Sequence, residues 1–121
     1  MTAPTTLSVR QEIARELEQV QEDAYGETEC HVDVSLHETF VAVIMDLRLS
    51  VAEEALIESG NALSVKVSRD AVQLALASTS SAIVERATGR RVIGFASHAV
   101  VDEGPAWAMD VFRLGKTPAD V

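Results

Sequence analysis

The sequence predicts an α+β fold: a four-stranded antiparallel sheet with helices packed on one face, in the chain order α-β-β-α-α-β-β. Three observations predict it. Val9, Ile13, Leu17, Val20 and Ala24 recur at three- and four-residue steps, the stripe of a half-buried helix. Cys30 to Leu36 alternates with period two, so that Cys30, Val32, Val34 and Leu36 share one face and His31, Asp33, Ser35 and His37 the other. At Thr88-Gly89-Arg90-Arg91-Val92 a long helical pattern stops on a glycine and a run rich in Val, Ile and Phe begins.

Each element follows from local chemistry. The first helix is predicted over Val9 to about Ala24, with Ser8 and Gln11 spelling a capping box and Tyr25-Gly26 ending it. His37-Glu38-Thr39 turns the chain from the first strand into a second, Phe40 to Leu47, which is apolar on both faces until Asp46 and Arg48. Such a strand is central in its sheet or covered by a second subunit. Ser50-Val51-Ala52-Glu53 is another capping box and opens a short helix that ends near Ser59-Gly60. A longer helix is predicted over about Ser68 to Ala87, with Val72, Leu76, Thr79, Ile83 and Ala87 on one stripe and a soft Ser78-Thr79-Ser80-Ser81 patch midway. Leu63 to Val67 fits either its first turn or an extended lead-in. The third strand is Arg91 to Val101, the turn Asp102-Glu103-Gly104-Pro105, and the fourth strand Ala106 to Leu114. The expectation is one domain over residues 1–121, ordered from about 8 to 114, with frayed tails at 1–6 and 115–121.

Composition narrows the function classes. A chain of 121 residues with 47% hydrophobic and 24% charged residues is globular rather than disordered. The longest apolar run, Phe40 to Met45, is far short of the roughly 20 residues that span a bilayer, so direct membrane insertion is not expected. Met1 to Thr6 lacks the basic and apolar regions of a secretory signal, and the lone Cys30 gives no reason for an oxidising compartment; a cytoplasmic location is the default. Residues 1–60 hold three Lys and Arg against thirteen Asp and Glu, while residues 61–121 hold seven against six. An acidic half of this kind repels phosphate backbones and argues against nucleic acid as a partner.

Five motifs stand in order: Tyr25-Gly26, Ser50-x-x-Glu53, Arg69, Thr88-Gly89-Arg90-Arg91-Val92, and Asp110-Val111-Phe112-Arg113-Leu114. Together they resemble the MpsC family, small bacterial proteins long catalogued as a domain of unknown function, over about Ser8 to Leu114. The resemblance implies a soluble accessory role in a sodium-translocating, membrane-potential-generating system linked to inorganic carbon (bicarbonate) uptake. It implies no established catalytic residues. In the family the segment after Tyr25-Gly26 is often glycine-rich and basic; here it reads Glu27-Thr28-Glu29, which would weaken or invert a preference for an anionic ligand.

Geometry separates the remaining candidates. Arg86, Arg90 and Arg91 gather at the end of the long helix and Arg69 lies near its start; a guanidinium could hold a carboxylate, bicarbonate or phosphate in bidentate fashion, which makes Arg69, Arg90 and Arg91 the candidate anion or partner contacts. The plainer reading is that cations at a helix C-terminus meet its dipole, worth ~0.3 to 1 kcal/mol, and that Arg91 pairs with Asp110 across neighbouring strands. His31 and His37 stand about 20 Å apart at 3.3 Å per residue, Cys30 faces the other way, and His98 can join only one of them, so no metal site is expected. Side chains of Asp33, His31, Ser35 and His37 run in parallel rather than converging as a Ser-His-Asp triad must. Gly89 and Gly94 do not spell a phosphate loop, so no cofactor is expected.

The resemblance thus implies a non-enzymatic accessory protein of the MpsC type, with a homodimeric anion-sensing module built on the arginines as the alternative. The apolar second strand and Trp107 suggest a homodimer whose interface draws on Phe40, Val41, Val43 and Trp107. Through a protein partner, a subunit of a membrane transport complex, the chain would sit peripherally at the membrane.

Overall fold

The computed structural model describes residues 5–26 and 30–118. Its elements run α1 (Thr6–Tyr25), β1 (Val32–Leu36), β2 (Phe40–Asp46), α2 (Val51–Glu58), α3 (Ala62–Ala75), α4 (Ala77–Thr88), β3 (Arg90–Val100) and β4 (Trp107–Pro118). The fold is α+β with a four-stranded antiparallel sheet, as the alternating strands and striped helices require. The two hairpins join through their second strands, giving the spatial order β1-β2-β4-β3 and placing β2, the strand apolar on both faces, in the sheet interior.

The chain order differs from expectation by one helix, α-β-β-α-α-α-β-β. The pattern read as one helix from Ser68 to Ala87 is two helices, broken at Leu76 (φ −88°, ψ −3°) just before the soft patch Ser78 to Ser81. Serine and threonine there offer their own hydrogen bonds to the backbone and hold a helix weakly. Leu63 to Val67 belong to the first turns of α3. The start of α1 also moves: Thr5, not Ser8, is the N-cap, its hydroxyl accepting from the Ser8 amide at 3.1 Å. Gly115 to Pro118, expected to fray, continue β4.

One sheet face holds the core. Val32 and Val34 of β1, Val41, Val43 and Met45 of β2, and Ala108, Phe112 and Leu114 of β4 point inward against Ile13 and Leu17 of α1, Val65 of α3, and Ile83 and Val84 of α4. Val41 and Val43 are therefore core residues and not interface residues: successive side chains on a strand alternate, and the helix layer covers this set. Phe40 and Trp107 lie on the opposite, uncovered face, with Ala42, Ile44, Met109 and Val111 between them.

The free edge of β3 is occupied by side chains. The Ala99 amide donates to Asp70 Oδ1 at 2.9 Å and the Val92 amide to Glu85 Oε2 at 2.9 Å, so α3 and α4 each extend a carboxylate to the border strand.

Gly89 closes α4 in the left-handed region (φ +70°), its amide returning to the Glu85 carbonyl at 2.8 Å. An added Cβ there would meet nothing within 4 Å, so only backbone strain opposes a side chain. Gly89→Ala is expected to cost about 1 kcal/mol, read as a lower urea midpoint at unchanged slope.

Candidate functional site

The side of α3 that faces the protein is largely polar. Val65, Arg69 and Gln73 recur at four-residue steps and are all buried, whereas Leu63, Val67 and Leu74 are exposed. At 3.6 residues per turn these three exposed side chains fall within about 40° of one another on the outward side. What holds the polar side in place is a set of partners from three other elements.

Arg69 makes a two-pronged pair with Glu53 of α2: Nε donates to Oε2 and Nη2 to Oε1, both at 2.7 Å, and Nη2 also donates to the Arg48 carbonyl at 3.1 Å. The planar fork matches the carboxylate geometry. Glu53 is simultaneously the N3 residue of the Ser50 capping box, accepting from the Ser50 amide at 2.9 Å while Ser50 Oγ accepts from the Glu53 amide at 3.1 Å. Tyr25, at the end of α1, lays its ring 4.1 Å from the guanidinium carbon, a cation–π contact. Its hydroxyl is buried without a hydrogen-bond partner among the described residues.

The charges respond to this packing. The hydrogen bonds from Arg69 hold the Glu53 carboxyl below the usual carboxylate range, against the effect of burial. Burial pushes the Tyr25 phenol up, opposed by the positive charge of Arg69. For Arg69 burial works against the charged form, but the bonds and charge of Glu53 outweigh it and strengthen protonation. Tyr25, Arg48, Leu49, Ser50, Glu53 and Arg69 line a recess of about 460 Å³. Three of the five motifs, Tyr25-Gly26, Ser50-x-x-Glu53 and Arg69, thus meet at one clasp joining α1, α2 and α3.

One turn further along α3, Gln73 continues the polar line. Gln21 Nε2 of α1 donates to Gln73 Oε1 at 3.0 Å, and Gln73 Nε2 donates to Asp110 Oδ2 at 3.0 Å; Ser97 Oγ donates to Asp110 Oδ1 at 2.5 Å. Asp110 is 2% exposed, and burial pushes its carboxyl up to about 6, opposed by the Ser97 and Gln73 bonds and assisted by the nearby charge of Asp70. Its partner is therefore Ser97, directly opposite on β3, and not Arg91. Ladder register decides this, because Arg91 lies beyond the irregular pairing at the far end of β3.

The three candidate anion-binding arginines are not brought together. Arg90 shares a recess with Thr6 and Val9 at the start of α1, donating to the Gly115 carbonyl and, at 3.3 Å, to the Glu38 carbonyl. Arg69 sits over Tyr25 at the other end of α1, twenty residues or about 30 Å away. Arg91 is exposed beside Arg90, and Arg86 pairs with Glu16 of α1 at 2.8 Å. The segment Glu27-Thr28-Glu29 lies outside the described residues.

The histidines occupy separate places. His37 leaves the strand, stacks on Phe40 with ring centroids 4.2 Å apart, and turns Nε2 to within 2.7 Å of Ser35 Oγ. Parallel side chains on one strand would not meet in this way; the contact arises because His37 lies in the turn, where the alternation ends. His98 Nδ1 is 3.2 Å from Lys66 Nζ. Among the described residues no three His, Cys, Asp or Glu side chains converge as metal ligands do. Burial pushes the Cys30 thiol up to about 11, which keeps it protonated and a poor nucleophile at neutral pH.

Sequence alone does not mark Glu53, Gln73 and Gln21 as members of a site. Glu53 reads there as a cap, and neither glutamine belongs to any of the five motifs. Spacing is the one signal that points to them, since Arg69 and Gln73 stand four apart on a helix that must bury one side.

A family model described as the Na+-translocating membrane potential-generating system (MpsC) matches residues 5–114. No curated protein and no solved structure matches the chain. Among the described residues no helix is long and apolar enough to cross a membrane.

Proposed function

The chain belongs to the MpsC family, and from that premise we propose that it acts without catalysis, as a homodimeric accessory protein held at a membrane cation-translocating, inorganic-carbon-linked complex by protein contacts. It would work from the cytoplasmic side. The observation that carries this reading is the inverted exposure of α3: Leu63 is 72% exposed and Leu74 69%, while Arg69 and Gln73 are buried. Val51 and Leu56 of α2 add exposed apolar surface nearby in the chain. A soluble domain gains nothing by wetting such a stripe, and clustered exposed apolar residues mark contact surfaces.

Anion sensing is the weaker reading. Arg69 is engaged by Glu53, and about 30 Å separates it from Arg90.

Affinity capture from a native membrane extract tests the proposal. The natural chain is expected to enrich a subunit of a cation-translocating membrane complex, and Leu63→Glu with Val67→Glu to reduce that yield about tenfold or more, since each charge would be buried unpaired on docking. Equal capture by the variant would show that the α3 stripe is not the docking surface; failure of the natural chain to enrich any such subunit would overturn the accessory role.

A further inference from the structure

The uncovered sheet face has an order of its own. In its middle Ile44 of β2 pairs with Met109 of β4, and Ala42 with Val111. Beside Ile44 on β1 stands Asp33, and beside Met109 on β3 stands His98; at one end Phe40 lies opposite Arg113. The apolar centre with a polar rim is the anatomy of a protein interface.

We infer that this face is covered by the same face of a second copy, the two sheets stacking about a twofold axis that runs parallel to the strands between β2 and β4. This deepens the homodimeric part of the reading above and is independent of any membrane partner.

The axis is selected by complementarity. A twofold parallel to the strands lays β2 of one copy over β4 of the other and β1 over β3. Ile44 then meets Met109, Ala42 meets Val111, Asp33 meets His98 and Phe40 meets Arg113. A twofold across the strands would instead set Asp33 beside Ser35 and part it from His98, while Asp46 meets an aromatic ring either way, Trp107 in the first arrangement and Phe40 in the second. His98 is prepared for the first arrangement: Lys66 Nζ, an obligate donor, takes Nδ1 as acceptor, which leaves Nε2–H to donate to a carboxylate. Aligned sheets cross at about 30° and pack about 10 Å apart, so contacts near the axis persist while rim pairs shift slightly.

The area is sufficient for a small interface. Four strands at about 4.8 Å and seven residues at about 3.3 Å give on the order of 450 Å² in projection before side-chain relief is counted, against about 800 Å² of accessible surface per partner in a standard interface. The isologous contact repeats each pair twice.

Light scattering on the purified full chain at about 100 µM, a concentration at which an interface of micromolar Kd is nearly saturated, tests the arrangement. The natural chain should weigh twice its 13.0 kDa. Ile44→Glu should be a folded monomer by circular dichroism, because Ile44 is already 44% exposed in the single chain; Met109→Lys serves should that variant misfold. Leu63→Glu should remain a dimer. A monomeric natural chain, a folded variant that stays dimeric, or dissociation by Leu63→Glu would each overturn the proposal. Asp33→Lys should weaken the dimer about twofold to fivefold and His98→Glu in the same chain should restore it; no restoration would reject the axis parallel to the strands.

Discussion

Glu53→Ala is expected to remove about 3 to 5 kcal/mol of folding stability, a large share of what a domain of this size possesses. The reason is asymmetric burial. Arg69 is 6% exposed and Glu53 21% in their side chains, so deleting the acid leaves a largely buried guanidinium whose one remaining hydrogen-bond acceptor is the Arg48 carbonyl. The same change removes the reciprocal bond to the Ser50 amide that starts α2. Arg69→Ala should cost less, because the abandoned Glu53 carboxylate keeps the cap and can hydrate. Glu53→Gln, which retains the cap and a neutral acceptor, should fall between. Guanidinium unfolding of the three variants checks the order, and a Glu53→Ala loss below about 1 kcal/mol, the ceiling for an exposed pair, would show that the clasp is not buried in solution.

Asp110→Asn should stabilise the protein at neutral pH and do nothing in acid. The folded chain holds the Asp110 proton up to about pH 6, whereas an unfolded aspartate releases it near 4. Folding is therefore favoured by this group below about pH 4, and that contribution is lost as pH rises through about 6. Raising the carboxyl from near 4 to about 6 is worth about 3 kcal/mol at most. The amide variant keeps the shape: its oxygen can accept from Gln73, and Ser97 can accept from its amide. The polar groups facing this position are Asp70, Gln73 and Ser97, and only Asp70 carries charge that adds to the effect. Urea midpoints for both chains at about pH 4.5, 6 and 7.5, a span that brackets the release of this proton, isolate the group from the other acids by difference. A difference between the chains that does not grow with pH would reject the raised carboxyl.

Much of the fold was legible because its signals are local. Val32 and Val34 alternate with Asp33 and Ser35, Ile13 and Leu17 stand four apart, and Ser50 with Glu53 form the capping box their spelling implies. Phe112 enters the core and Trp107 the opposite face, as strand parity requires. The clasp was not legible because its pairs are tertiary: Arg69 and Glu53 are sixteen residues apart and Gln73 and Asp110 thirty-seven. Periodicity also misled over α3 and α4. Reading one unbroken helix put Val72, Leu76 and Thr79 on a common stripe, but the joint at Leu76 resets the phase, and the buried side of α3 becomes Val65, Arg69 and Gln73. A hydrophobic stripe says which residues avoid water only if the helix it is drawn on is continuous.

The carboxylates of Asp70 and Glu85 on the border strand limit how copies can accumulate. An endless cross-β ribbon needs every subunit to offer two open borders, and here an arriving strand would have to displace two anions from the amides of Ala99 and Val92. Growth by strand addition past β3 is thereby blocked, and a crowded solution of this protein should contain finite particles rather than fibrils.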